Sequence, residues 1–594
     1  MGMGKTCGTQ TDNAILRQLF RKAELSYAIS DVSKVIGPIV DLIFISIYIG
    51  SAGVTVMGYV SPLIMLIGLI GSDISSGARN KVSALLGAGK IDEANSIFSA
   101  SVMLGGGLSL IISLGILLFC SGVSSMLGAN EPQIFEMTKL YIFGYIIGAP
   151  FVTLSRVLTP YLQMEGQYQR ISAISMLTTA IDIAADAFVV FVLQGGMFEM
   201  ALATSLGYII PFFVGAAFFF RGKSHSIFRF SLKGISSKVC VEIMRLGAPS
   251  GIFMGSNAVG GMLINNMLTG FNLRYLVAAY GVFSQITVFV RSSWYAPADT
   301  LLAFSGIFIG EEDRNSLKEL QKISLTHALI STSTVTAFLF VFAVPLARVF
   351  LKSNDPEALR ICVECIRVAC FSLPFYAIVY NFNYYLMAVK RFRFSNIYSF
   401  LIECGNIVPI TFIMLQVISY PGAWVSKVIN VTLLSLIAVF YINRHKEGLT
   451  YRDKMLLMPD SFGITPENEI AIAATSADEI LDLSRLAVAF ALEHGAEKKR
   501  AMTFGLVTEE LALVLKEHGF SDGRPHNINA RLVAKGEELI IRMRDDCRLF
   551  NITEYYQMVR EDHEKGVGMS IIMKKSKCVQ YTNTLGANNL IVRI

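Results

Sequence analysis

Two carboxylates four positions apart lie in a stretch that otherwise reads as a membrane span: "TTAIDIAADAFVVF", Thr178 to Phe191, carries Asp182 and Asp186. Residues i and i+4 share one helix face, so the two side chains project together. A carboxylate at mid-bilayer costs at least about 2.5–3.5 kcal/mol on insertion scales. Two that also repel each other are poised to take up a proton or a cation. A third acid, Asp41, sits in "VIGPIVDLIFI", and Thr204 in "MALATSLGY" supplies a hydroxyl. Three acids without an evident basic partner in the same membrane segments point to cation or proton binding rather than to helix-to-helix hydrogen bonding.

The elements that must hold these residues follow from composition. Of 594 residues 53% are hydrophobic and only 16% charged, against about 25% charged in soluble proteins. From Lys34 to Tyr441 the chain is a series of apolar runs, each near the roughly 20 residues that cross a bilayer. About twelve spans are expected, at 35–50, 54–76, 97–120, 138–160, 171–193, 198–220, 247–269, 275–297, 327–350, 362–388, 395–418 and 420–442. Basic residues concentrate in alternate connections, among them Arg79, Lys81 and Lys90, Arg170, and Lys390, Arg391 and Arg393. Both termini are therefore expected in the cytoplasm of a multi-pass cell-membrane protein. The first 30 residues lack the apolar core of a signal peptide. The net charge of +6 calls for no nucleic-acid partner.

Some motifs carry nothing. "GMGKT" (Gly2–Thr6) has no room before it for the strand and glycine-spaced loop of a phosphate-binding loop. It also fits a myristoylation pattern, which adds nothing to a protein already held by many spans. Nine cysteines are scattered, and the cluster Cys362, Cys365 and Cys370 reads as small side chains of a membrane helix rather than a metal site.

The membrane region repeats itself. "YLQMEGQYQRISAIS" from Tyr161 answers "YLMAVKRFRFSNIYS" from Tyr385, an offset of 224 that sets Asp182 against Asn406. "LGAGKIDEAN" (Leu86–Asn95) answers "IGEEDRNSLK" (Ile309–Lys318), and Gly37-Pro38 answers the "GAP" at Gly247–Pro249. Two six-helix bundles related by a pseudo-two-fold axis can rock against each other, opening a central cavity to each side in turn. The expected units are a cytoplasmic segment 1–34, a first bundle 35–220, a linker 221–246, a second bundle 247–442, a linker 443–464 and a soluble unit 465–594.

"IGPIVDLIFISIYIGSAG", "GARNKVSALLGAGKIDEAN", "EGQYQRISAISMLTTAIDIAADAF" and "LGAPSGIFMGSNAVGGML" together resemble the multidrug and toxic compound extrusion (MATE) family over residues 12–445. The resemblance implies an antiporter that exports small amphiphilic or cationic compounds, driven by Na⁺ or H⁺. It also implies a coupling-ion site whose residues fall on Asp41, Asp182, Asp186 and Thr204, with Asp182 where the family pattern has asparagine. Asn257 stands where the family often has a seventh-span glutamate, which makes a second ion site of that type doubtful. Asn257, Arg291, Asp299, Glu403 and Asn406 are candidates for lining the cavity, with Arg291 and Asp299 alternatively paired near a membrane surface. The wider superfamily includes flippases for lipid-linked saccharides, and the acid-lined first half favours export over that alternative.

Residues 465–594 read as an α/β two-layer sandwich. "NINARLVAKGEELIIRMRDDC" is a hairpin turning at Lys535-Gly536, and "CVQYTNTLGANNLIVRI" is another. The order of elements resembles the ATP-binding domain of anti-sigma-factor serine kinases, in the GHKL group. That resemblance places Glu510 at the catalytic glutamate, Asp545 at the adenine-contacting aspartate, and Gly566 and Gly568 in the phosphate-side glycine loop. The asparagine that would hold Mg²⁺ is Val514 here and a second glycine is Cys547, so kinase or ATPase turnover is not expected, while nucleotide binding without turnover stays open. A regulatory module that binds a cytoplasmic protein is the preferred reading. A membrane sensor signalling through a kinase-like tail is the alternative.

Overall fold

A computed structural model of the chain describes residues 8–594 except 130, 221–225, 232–234, 271–275, 352–354, 445–450, 460, 466, 475–476, 520–525, 548–549 and 560–566. The Gly2–Thr6 stretch and Gly566 therefore lie outside the described residues. In lipid every backbone N–H and C=O must be satisfied within the segment, so the apolar runs become helices. The first half comprises α1 (Gly8–Tyr48), α2 (Ser51–Gly87), α3 (Ile91–Leu118), α4 (Cys120–Met126), α5 (Pro132–Met164), α6 (Tyr168–Phe188) and α7 (Met197–Phe220). The second half comprises α8 (Ser237–Gly270), α9 (Leu276–Val290), α10 (Ser292–Gly310), α11 (Arg314–Val341), α12 (Ala343–Leu351), α13 (Pro356–Ala369), α14 (Leu373–Ala388), α15 (Phe392–Phe400), α16 (Ile407–Ile418) and α17 (Gly422–Asn443).

Among the described residues nine helical segments are long and apolar enough to cross a membrane. The expected first, seventh and eighth spans fall in α1, α8 and the α9–α10 pair, which that count leaves out. The eighth is not one helix: α9 stops at Val290, and the Arg291 carbonyl accepts the N–H groups of Trp294 and Tyr295 as α10 begins. The first is longer than expected, because α1 runs unbroken from Gly8 to Tyr48 with Pro38 inside it.

The repeat is visible in the backbone. The α2 and α10 helices end in the same left-handed turn, at Gly89 (φ 75°) and Glu312 (φ 56°). Each is closed by a six-to-one hydrogen bond, Lys90 N–H to Leu85 O at 2.8 Å and Asp313 N–H to Phe308 O at 2.9 Å. The ends of α5 and α14 match in the same way, at Gly166 (φ 66°) and Lys390 (φ 60°). Their closing bonds run from Gln167 N–H to Leu162 O at 2.8 Å and from Arg391 N–H to Leu386 O at 2.9 Å. These are helix stops that need one left-handed residue.

The halves meet on the side that carries these turns. There α2 lies against α8 so closely that a Cβ at Gly77 would fall on the Ile243 carbonyl and one at Gly247 on the Asp73 carbonyl. The side-chain bonds between the halves among the described residues join α1 up to Asp31 and α2 beyond Ser72 to the second half.

After α18 (Tyr451–Met455) the C-terminal unit contains β1 (Glu469–Ala474), α19 (Ala477–Glu493), α20 (Lys498–Gly519), β2 (Ile528–Lys535), β3 (Glu538–Asp545), α21 (Ile552–Val559), α22 (Val567–Lys575), β4 (Cys578–Thr584) and β5 (Ala587–Arg593). The strands form one antiparallel sheet in the order β1-β2-β3-β5-β4. Both expected hairpins are present, β2–β3 and β4–β5. Strand alternation sorts the faces: Ile528, Ala530, Leu532, Ile541, Met543, Leu590 and Val592 share a core with Leu483, Phe490, Phe504 and Leu511 of the helices. The intervening positions, Asn529, Arg531, Arg542, Arg544 and Asn589, point the other way.

Candidate functional site

The three acids converge. Asp41 of α1 lies beside both Asp182 and Asp186 of α6, and Thr204 of α7, whose hydroxyl donates to Met200 O at 3.3 Å, lies beside Asp182. Glycines make the approach tight: a Cβ at Gly37 would lie 2.9 Å from Asp182 Oδ2, and one at Gly207 3.3 Å from Asp182 Oδ1. All three carboxylates are buried. Asp41 Oδ1, Asp182 Oδ1 and both oxygens of Asp186 have no hydrogen-bond donor. Buried acceptors without donors are costly, and the vacant lone pairs suit a small cation or a proton. Asp182 lies fourteen residues along α6 from Tyr168, about 21 Å from the turn side at 1.5 Å per residue. Directly after Asp186 the helix loosens into a π-helical turn, Val189–Leu193, a distortion frequent at functional sites.

A basic residue that the sequence reading passed over lies in the same half. Arg156 of α5 donates from Nη1 to Gly68 O at 3.1 Å and Ser72 Oγ at 2.7 Å. It holds α2 to α5 and, among the described residues, makes no ion pair with the three aspartates. Its signal was present in "FVTLSRVLTPYL", an arginine within an apolar run.

The second-half candidates separate. Glu403, in the π-helical turn Leu401–Gly405, accepts from Asn257 Nδ2 at 2.6 Å and from the Tyr380 hydroxyl at 2.8 Å. Asn406 instead donates to Asn430 Oδ1 at 2.8 Å, tying α16 to α17. Arg291 and Asp299 do not pair with each other. Arg291 makes a two-pronged contact with Asp31 of α1, 3.0 Å in each arm, and Asp299 pairs with Arg79 of α2 at 2.6 Å. Both cross between the halves, so these two residues fasten the halves together. Lys427, also unremarked in the sequence, sits over the Tyr280 ring at 4.4 Å.

With this geometry in view, comparison with known proteins is decisive for the fold. Residues 28–188 match the MatE family. The chain is 23% identical over 435 residues to the multidrug export protein MepA of Staphylococcus aureus (strain MSSA476), covering 72% of this chain and 93% of that protein. MepA of Staphylococcus haemolyticus (strain JCSC1435) is 23% identical over 433 residues, with the same coverage. Among solved structures, the Vibrio cholerae MATE transporter VcmN in its bent form superposes with a TM-score of 0.68 at 17% identity, covering 75% of this chain and 98% of that one.

The membrane body has the MATE fold.

A transporter of the MOP superfamily from Pyrococcus furiosus superposes on this MATE-type body with a TM-score of 0.67 at 18% identity, covering 72% of this chain and 94% of that one. The acid cluster falls in α1 and α6, within or beside the stretch that matches MatE.

In the C-terminal unit, Glu510 and Gly568 are brought together: a Cβ at Gly568 would collide with the Glu510 carboxylate at the start of α22. Asp545 is occupied elsewhere, accepting from Asn588 Nδ2 at 2.7 Å and from the Cys547 N–H at 3.1 Å. Beside it, potential ligand atoms of His526, Asp546 and Cys547 lie within 4.8 Å of one another. Burial pushes the Asp545 carboxyl up to about 6, against the pull of its Asn588 and Cys547 donors. The folded unit thus holds this proton more tightly than the unfolded chain does. Stability is fullest below the ordinary aspartate value and falls as pH rises through about 6. Asp545→Asn keeps the accepting oxygen without the charge, so thermal unfolding of this unit in the full chain should lose that acid-side slope. Retention of the slope in the variant would assign it to another group.

Proposed function

We propose that this chain is a cation-coupled antiporter, driven by Na⁺ or H⁺, that exports small amphiphilic or cationic compounds by alternating access across the cell membrane. The C-terminal unit serves as a regulatory domain without nucleotide turnover and is a site for a cytoplasmic protein partner. MATE-type proteins are secondary transporters rather than enzymes. The observation that carries the reading is the buried cluster of Asp41, Asp182 and Asp186, four of whose six carboxylate oxygens lack donors within a MATE fold. The coupling ion is cargo here: it binds among these acids with Thr204 alongside, neutralises their mutual repulsion, and is released on the other side. Neutralisation changes the relative stability of two conformations, which is all that coupling requires. The turn-bearing side is taken as cytoplasmic because Lys81, Lys90, Arg170, Lys390 and Arg391 gather there.

Purified full-length protein in proteoliposomes, given imposed Na⁺ or H⁺ gradients in separate arms, tests the reading. Accumulation of a fluorescent lipophilic cation should follow one gradient and collapse with the matching ionophore. Accumulation that ignores both gradients would refute it.

A further inference from the structure

The C-terminal sheet does not hang free beneath the membrane body. Its strands reach both halves at the repeat-related turns. On the first half, Gln580 Nε2 donates to Gly89 O at 2.6 Å, Leu585 N–H donates to Met164 O at 2.7 Å, and the Tyr168 hydroxyl donates to Leu585 O at 3.1 Å. At this contact Gly166 leaves no room for a Cβ above Gly586. On the second half, Arg544 Nη2 holds the Glu311 carboxylate at 2.8 Å to each oxygen, and Lys535 Nζ reaches Glu312 at 2.8 Å. Arg531 donates to the Glu311 and Glu312 carbonyls at 3.2 and 3.1 Å.

Two features mark this contact as built in. Arg531 and Arg542 are direct neighbours across the β2–β3 pairing, a like-charge juxtaposition that destabilises a sheet by itself. It becomes tolerable because Glu311, Asp313 and Glu469 cover that face. Burial alone would raise the Asp313 carboxyl, but Arg531, the Ser316 N–H and hydroxyl, and Arg544 together hold it below the usual range. The second feature is the β4–β5 hairpin tip. Leu585, with Gly586, forms the two-residue turn at this tip, both at positive φ (59° and 81°) as such a turn requires. Leu585 and Ala587 are buried with Ile15, Leu16 and Leu19 of α1 in the core of the membrane body, apart from the core of their own unit.

We infer that the C-terminal sheet is a latch. By gripping the Gly89 and Gly166 turns of one half and the Glu311–Asp313 turn of the other, it holds the halves closed on this side, and opening here carries the added cost of releasing a grip. The inference rests on the rocking of two halves in the proposed antiport cycle. The Arg544–Glu311 pair is the grip most open to test, because each residue belongs to a different unit.

Spin labels at Asp92→Cys in α3 and Lys322→Cys in α11, in full-length protein carrying Cys578→Ser, report the separation of the halves. Arg544→Glu and Glu311→Arg should each raise the long-distance population roughly tenfold, since unpairing a buried interfacial charge is costly. The two combined should return it to the starting value. Misfolding of the C-terminal unit cannot produce that rescue, and Glu311→Arg leaves the unit's own sequence intact. An unchanged distance distribution in both single variants, or single-variant opening that the swap fails to reverse, would overturn the latch. Opening by the single variants with reversal by the swap, but without gradient-driven transport, would leave the latch standing and remove the antiport reading instead.

Discussion

Asp41→Asn is expected to abolish gradient-driven export while leaving the protein folded. Asp41 is the one acid of the cluster contributed by α1, and it meets both Asp182 and Asp186. In the proposed antiport cycle its side chain is the link through which a bound cation would pull α1 against α6. Asparagine fills the same volume but brings no charge, so the site loses one of three carboxylates and the part of its affinity that depends on that charge. Removing a desolvated charge partner typically costs 2–5 kcal/mol, which corresponds to at least a tenfold loss of coupled uptake. Asp182→Asn is the contrasting variant. The MATE resemblance has asparagine at that position, so this variant should keep a substantial fraction of transport where Na⁺ is the coupling ion. The measurement is initial uptake rate in proteoliposomes under each gradient. Wild-type rates in Asp41→Asn would remove the cluster from the coupling mechanism.

Arg79→Ala should shift the protein strongly toward opening on the turn-bearing side. Arg79 and Asp299 pair at 2.6 Å with side chains only 10% and 18% exposed. Arg79 also donates to the Tyr27 hydroxyl at 3.2 Å. Truncating one partner leaves the other carboxylate buried and unpaired, a loss of about 3–5 kcal/mol. Only the closed arrangement bears that cost, because opening lets Asp299 reach water, so the equilibrium should move by two orders of magnitude or more. Replacing both partners by apolar residues, Arg79→Met with Asp299→Leu, should recover most of the closed population, since a well-packed apolar pair often matches a buried ion pair. The readout is the same label separation between positions 92 and 322. No widening in Arg79→Ala would show that this pair does not hold the halves together.

What the sequence disclosed, and what it withheld, divides by range. Asp182 and Asp186 were legible because four residues on a helix fix a shared face, and Asp41 because an acid in an apolar run has few bland explanations. The two hairpins of the C-terminal unit were legible because alternation and turn residues are local. The repeat offset was legible as well, and the matched left-handed turns at Gly89 and Glu312 give it a backbone form. The pairing of Arg291 with Asp31 was not legible: the residues are 260 positions apart, and only the relative placement of the two halves brings them together. The same holds for the contact between the sheet and the membrane body. A strand face rich in arginine reads from sequence as solvated, and nothing local says that Glu311 and Asp313 cover it. The break at Arg291 was missed because Arg291-Ser292-Ser293 interrupts the apolar run only briefly, and a helix can carry such residues without ending.

Helix α1 joins these observations into one mechanical element. It is a single rod of 41 residues, about 60 Å long at 1.5 Å per residue. Near one end, Ile15, Leu16 and Leu19 bear on the hairpin tip; further along, Asp31 clasps Arg291; beyond Pro38, Asp41 faces the other two acids. In the proposed cycle an ion held at Asp41 and a sheet docked against Leu19 would bear on the same helix, so each would change the affinity of the other by the same factor.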